Sequence, residues 1–158
     1  MSAINLRNLA LLAAAGSAAL LLGALAFQYI GGLPPCKMCI WQRWPHLVAV
    51  LIGAVFLVAT YRILALAGAA AAITTGGIGV FHAGVEQGWW DGPDTCTSGS
   101  IEGLSASQLL DQIMAAPVVR CDDIAWQMLG VSMAGWNAII SFGLAGVWVL
   151  AWSAVRVR

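Results

Sequence analysis

Polar positions are scarce along this chain, and they cluster. Residues 8–36, 44–61, 63–85 and 124–155 carry no formal charge, with His46 and His82 counted as neutral. A helix needs roughly 20 apolar residues to cross roughly 30 Å of hydrocarbon. The first stretch supplies one span over about 9–30, ended by Gly31-Gly32-Leu33-Pro34-Pro35, because adjacent prolines break a helix. Two more follow over about 40–61 and 63–85, joined by a tight turn at Arg62. The last stretch holds one span, over about 133–155. The pattern predicts an all-α membrane protein: a four-transmembrane-helix bundle, one integral domain over 1–158, with loops over about 31–39 and 86–130. A cleaved signal peptide fits poorly, since the first run exceeds the roughly 7–15 residues of a signal core and three spans follow it.

Composition sharpens this picture. Apolar residues make up 61% of the 158 and charged residues 9%, against roughly 45–50% and 25% in soluble domains. Too few charges remain to meet phosphates or solvate a large surface, which excludes nucleic-acid binding, disorder and an ordinary cytosolic enzyme. All seven acidic residues (Glu86, Asp91, Asp94, Glu102, Asp111, Asp122, Asp123) lie between 86 and 123, where Arg120 is the single base. That segment reads as an acidic, water-facing loop. Arg7, Arg62, Arg156 and Arg158 gather at one set of span ends, and Lys37, Arg43 and Arg120 at the other. The positive-inside bias therefore puts both termini and the 61–63 turn in the cytoplasm.

Aromatic residues mark the span ends. Tyr29, Trp41, Trp44, Trp89 and Trp90 are expected at the outer interface, and Trp148 and Trp152 at the inner one. Glycines such as Gly53, Gly68 and Gly79 allow close helix contact. In the long loop, Ser105-Ala-Ser-Gln108 fits a capping box, followed by Leu109, Leu110, Ile113 and Met114 at helical spacing. A short amphipathic helix is expected there, stopped by Pro117 and lying on the membrane surface or packed on the bundle.

The cysteines carry the functional signal. Cys36 and Cys39 fall in the short outer loop, Cys96 and Cys121 in the long one, and none in a span. Two pairs on the outward face, where disulfides persist, read as two disulfides. A structural role suffices for Cys96 and Cys121. It does not for Cys36-Lys-Met-Cys39, whose very small ring constrains little of the unfolded chain. Such pairs serve exchange chemistry. Cys39 stands at the start of the second span, where unpaired helix amides favour a thiolate. With the helix beginning near Ile40, Pro45 sits in or near its first turn and Arg43 lies close to the Cys39 sulfur. Arg43 reads as a partner of that thiolate, or else as an interfacial anchor reaching for headgroups. A thiolate at the membrane edge fits a lipid-soluble electron carrier. Covalent haem fails because Ile40, not histidine, follows Cys39. A four-cysteine zinc site lacks a second Cys-x-x-Cys, and thioredoxin-like catalysis lacks βαβ alternation.

Pro35-Cys-Lys-Met-Cys-Ile-Trp-Gln-Arg-Trp-Pro-His46 resembles the first outer loop and second helix of the bacterial disulfide bond formation protein B family. So do His82-Ala-Gly-Val-Glu-Gln-Gly-Trp-Trp-Asp-Gly-Pro-Asp-Thr-Cys96, Cys121-Asp, and Leu-Gly-Val-Ser-Met-Ala-Gly-Trp-Asn137. The resemblance implies a protein-disulfide oxidoreductase of the bacterial inner membrane, with both redox loops periplasmic. Such an enzyme reoxidises a soluble thioredoxin-fold oxidase of the DsbA type and passes two electrons to ubiquinone or menaquinone, without a metal. Carried over, Cys96 is the sulfur attacked by the partner, Cys121 its mate, and Cys36 the next sulfur in line. Cys39 is then the thiolate facing quinone, with Arg43 holding its charge. His82 falls near a quinone-pocket histidine of the family, or is a satisfied polar residue of the bundle. Glu86 is a candidate support for the site or an interface residue, and His46 is expected to be structural. Two other readings stay open: a thiol reductase of the vitamin K epoxide reductase type, and a non-enzymatic scaffold with structural disulfides.

Overall fold

The computed structural model describes residues 6–93, 96, 105–115 and 119–154. Expectations placed on Asp94, Glu102, Pro117, Val155, Arg156 and Arg158 concern residues outside those described. Four helices are long and apolar enough to cross a membrane: α1 (Leu6–Tyr29), α2 (Lys37–Val58), α3 (Arg62–Glu86) and α5 (Met133–Ser153). They pack in a ring, α1 on α2, α2 on α3, α3 on α5, and α5 back on α1. The short α4 (Ala106–Ala115) lies in the long loop.

One end of the bundle is closed by small residues around two large rings. Ala10, Ala13, Ala14, Ala65, Ala69, Ala72, Ala145 and Ala151 surround Phe56 and Trp148, whose ring centroids are 6.0 Å apart. Trp148 is fully buried, which corrects its expected place at the interface. The reason is Gly68, whose bare backbone gives the indole room: a Cβ there would lie 2.5 Å from two Trp148 ring carbons. Trp152 does remain at the bundle's end. The Arg62 guanidinium sits 4.5 Å over its ring centroid, and Arg62 Nε donates to the Trp152 carbonyl at 2.9 Å.

The other end departs from expectation in ways that matter for chemistry. Helix α2 starts at Lys37 with Cys36 as its N-cap, the sulfur accepting the Cys39 N–H at 3.1 Å. Cys39 is thus in the first turn, and Pro45 lies inside the helix rather than near its start. Membrane helices tolerate such prolines because neighbours re-satisfy freed backbone groups. Helix α3 runs on through Glu86, whose side chain is buried. Glu86 therefore does not belong to the water-facing acidic loop.

A two-stranded hairpin, β1 (Gln127–Met128) and β2 (Val131–Ser132), precedes α5 and was not legible in the hydrophobic pattern. Leu129 and Gly130 turn it with φ of 53° and 75°, the left-handed pair that a tight two-residue hairpin requires. Trp126 meets Phe27 of α1 at 5.2 Å between centroids, which seats the hairpin against the bundle. Ser132 then caps α5, accepting the Gly135 N–H at 3.2 Å. In α4 the expected capping box is present: Ser105 N–H donates to Gln108 Oε1 at 3.0 Å, and Gln108 N–H to Ser105 Oγ at 3.4 Å. Its Leu110, Ile113 and Met114 are exposed.

Close packing at Gly68 is testable against a glycine with open space. Gly68→Ala should lower the unfolding temperature in detergent, with overpacking against the rigid indole costing about 1–3 kcal/mol. Gly77, with nothing within 4 Å of an added Cβ, should tolerate alanine or gain from its better helix propensity. Equal responses of the two variants would show that the Gly68–Trp148 contact is slack.

Candidate redox site

Four sulfurs converge at the open end of the bundle. Cys96 and Cys121 form a disulfide with Cα atoms 5.3 Å apart. Backbone bonds hold both: Cys121 N–H donates to the Cys96 carbonyl at 2.9 Å, and Cys96 N–H to that of Pro93 at 2.7 Å. Cys36 and Cys39 are free thiols, their sulfurs 2.6 Å apart with Cys36 as donor. The expectation of two disulfides is corrected to one disulfide and one dithiol. Cys36, Cys96 and Cys121 share one buried cluster with Met38 and Val85, and Cys39 packs against it. The hydrogen bond to Cys39 and burial together push the Cys36 thiol far above its ordinary range. Beside Cys121, the Arg120 guanidinium pairs with Asp122 and holds that carboxyl below the usual carboxylate range.

The histidine links the two pairs. A ring nitrogen of His82, the Cys36 sulfur and the Cys121 sulfur all lie within 4.8 Å of one another, with His82 Nε2 at 3.5 Å from Cys36. Glu86 Oε1 is 3.8 Å from the same nitrogen. Although two cysteines and a histidine resemble a metal site, the Cys121 sulfur is spent in a disulfide and has no thiolate to offer. The donor set present suits thiol–disulfide exchange.

A cavity of about 460 Å³ opens beside the dithiol, lined by Cys36, Cys39, Arg43, His46, His82 and Glu86 together with apolar residues of α1, the hairpin and α5. Its walls are largely apolar, as a small-molecule site requires. Arg43 follows Cys39 by about one turn of α2 and lines the same cavity. It reaches across to α1, donating to Gln28 Oε1 at 2.6 Å and to the Ala24 carbonyl at 3.5 Å. These bonds brace α2 against α1. Arg43 Nε, His46 Nδ1 and Glu86 Oε2 are buried without a hydrogen-bond partner.

Gln42 and Asn137 line the same cavity, and the reading of the sequence did not single them out. Gln42 Nε2 lies 2.9 Å from His82 Nδ1, and Asn137 Nδ2 donates to Gln42 Oε1 at 2.8 Å. Asn137 Oδ1 meets His46 Nε2 at 2.9 Å. Both amides stand within membrane-crossing helices, where polar groups face the bundle interior by default. That signal was present at both positions.

Comparison with known proteins now decides the family. The model for the family described as "Disulfide bond formation protein DsbB" matches residues 6–151. The chain belongs to the DsbB family. A disulfide bond formation protein B of Methylococcus capsulatus is 32% identical over 145 residues, covering 85% of this chain and 87% of that one. Another, from Albidiferax ferrireducens, is 30% identical over 150 residues, covering 87% and 84%. No solved structure matches the chain. Membership makes this a multi-pass membrane protein of disulfide bond formation.

The Cys36 geometry has a measurable consequence. With the dithiol reduced, alkylation mapped to Cys36 should stay slow and flat through neutral and mildly alkaline pH, since only the thiolate attacks. A rise centred near the free-cysteine value of about 8.5 would show that Cys39 and burial do not hold the proton on Cys36.

Proposed function

We propose that this protein is a dithiol:quinone oxidoreductase of the bacterial inner membrane, which reoxidises a periplasmic thioredoxin-fold oxidase and hands two electrons to a membrane quinone. The observation that carries this reading is the buried approach of Cys121 to Cys36, within 4.8 Å and beside His82. Two cysteine pairs of purely structural use have no reason to touch. Both redox loops then face the periplasm, with the termini and the 61–63 turn in the cytoplasm. The whole of 1–158 works as one integral domain.

The relay follows from which sulfur is next to which. A thiolate of the reduced partner attacks Cys96, forming a mixed disulfide and releasing Cys121 as a thiolate. Cys121 attacks Cys36 in the Cys36–Cys39 disulfide, so that the new bond joins Cys121 to Cys36 and Cys39 leaves as a thiolate. When the partner's second thiol resolves the mixed disulfide, the partner departs oxidised. The freed Cys96 thiolate re-forms its bond with Cys121, releasing Cys36. At this point both electrons sit on Cys36 and Cys39 as a dithiol. A quinone bound in the adjacent cavity would supply the oxidising power, taking two electrons and two protons from that dithiol. Its size, apolar walls and unpartnered polar atoms suit such a ring. Arg43 supplies fixed positive charge beside Cys39, and His82 and Glu86 border the same space.

The two ends of the relay separate by mutation. Cys96→Ala should abolish exchange with the soluble oxidase while quinone still reoxidises the Cys36–Cys39 pair. Cys39→Ala should do the reverse, stranding electrons on Cys96 and Cys121. Full turnover with both substrates in either variant would rule out a two-pair relay. A thiol reductase would instead run faster from hydroquinone to the soluble partner, and a scaffold would show no turnover.

Arg43 divides the site reading from the anchor reading. Arg43→Ala should weaken apparent quinone affinity by about 1.5–3 kcal/mol, the worth of a hydrogen bond to a charged group. Arg43→Lys keeps charge but loses the planar fork, and should fall between. Turnover against quinone concentration is the measurement. An unchanged half-saturating concentration in Arg43→Ala would leave Arg43 as a brace between α1 and α2.

A further inference from the structure

The polar chain behind the dithiol has a direction, and its far end is unused. Gln42 Oε1 accepts from Asn137, so its Nε2 is the atom that faces His82 Nδ1 and donates to it. Asn137 spends its Nδ2 on Gln42, so its Oδ1 accepts from His46 Nε2–H. Asn137 Nδ2 also meets the Thr75 carbonyl at 3.4 Å and hydroxyl oxygen at 3.3 Å, where a flipped amide would set oxygen against oxygen, and this fixes the direction of the chain. His46 is thereby held as the tautomer protonated at Nε2. Its Nδ1 is a bare lone pair, an acceptor only, on a side chain 3% exposed that lines the cavity. That nitrogen has no hydrogen-bond partner in the protein.

A buried acceptor without a donor costs free energy unless a ligand supplies one. His46 lies three residues beyond Arg43 on α2, roughly 4.5 Å further along the axis. The cavity thus has a cationic pole beside the thiols and an acceptor pole deeper in the bundle, with apolar walls between them. That pattern fits a ring carrying oxygen at opposite ends. Oxidised, both oxygens of such a ring are acceptors, and the far one would meet the Nδ1 lone pair without a proton between them. Reduced, the far oxygen carries a hydroxyl that can donate.

We infer that His46, oriented by Asn137, is a binding residue that selects the reduced, dihydroxy form of the ligand in this cavity over the oxidised form. The inference rests on the quinone reading above and adds to it a specificity for oxidation state. The balance is that of the site as a whole: the Cys36–Cys39 dithiol loses two electrons and two protons to become a disulfide, and the ring gains both pairs. His46 contributes no electron and no net proton. Favouring the product form tightens the pull on the electrons: each tenfold preference raises the bound two-electron couple by about 30 mV.

Binding separates this role from a structural one. The probe is a short-tailed ubiquinone added to the purified, fully oxidised protein, which has no dithiol to consume it. Quenching of Trp126 and Trp136, both in the cavity wall, reports the oxidised form, and competition under anaerobic conditions gives the affinity of its hydroquinone. The native protein should hold the hydroquinone tighter by about tenfold. His46→Leu should erase that preference while changing quinone affinity less than about threefold. His46→Gln is the decisive variant, since a glutamine amide can keep the bond to Asn137 yet presents nothing where Nδ1 was. It should behave like His46→Leu in binding while matching the native unfolding temperature. An unchanged preference in His46→Gln, or equal binding of both forms by the native protein, overturns the inference and leaves the quinone reading standing. Failure of the native protein to bind either form overturns both.

Discussion

The constraint on which the rest depends is that polar groups inside an apolar bundle must satisfy one another. The ladder His46–Asn137–Gln42–His82 crosses from α2 to α5, back to α2 and on to α3. Each broken rung leaves a buried donor or acceptor without its partner, at a cost of about 1–3 kcal/mol. Sliding α2 against α3 by one residue would break the Gln42–His82 rung and carry Cys36 away from His82. The ladder thus fixes helix register, and register fixes where the sulfurs meet. Thr75 reinforces it, donating its hydroxyl to the Gln42 carbonyl at 3.0 Å.

The two ends of the bundle divide stability from chemistry. Around Trp148 and Phe56, alanines and glycines bring the backbones close, and dispersion across small residues is what holds membrane helices together. At the other end the helices part around the cavity and leave Arg43, His46 and Glu86 with unpaired atoms. A site of this kind works against the bundle that carries it. Placing the cavity far from the packed core lets the tight end hold the fold while the open end carries the unpaired polar atoms.

Much of this was legible in the sequence, because the membrane imposes one strong rule. Four uncharged runs gave four helices, and the cysteine placement separated two pairs on the outward side. What escaped were features set by individual contacts. Trp148 reads as an interfacial aromatic until Gly68 is seen to open a slot for it. Glu86 reads as part of an acidic loop until α3 proves to be one residue longer. Arg43 falls on the Cys39 face by spacing, but its bond to Gln28 on α1 could not be placed from periodicity. The hairpin at 127–132 is too short to leave a hydrophobic pattern, and Leu129 in a left-handed turn gives no warning. Gln42 and Asn137 were the recoverable omission, since polar residues within spans are expensive and therefore purposeful.

Burial of the sulfurs bears on how the proposed relay stays selective. The rate of thiol–disulfide exchange depends on access as well as on thiolate fraction. Cys96 and Cys121 are 1% and 0% exposed, so a small thiol in solution finds neither sulfur of the outer disulfide open to attack. A protein partner that binds the loop can displace its cover and use binding energy to do so, which a free thiol cannot. The inner step needs no such opening, because Cys121 and Cys36 already lie within one buried cluster. The barrier to exchange is thereby placed at the outer sulfur, where recognition of the partner can lower it. Once electrons have crossed into the cluster, burial keeps stray disulfides from drawing them off again.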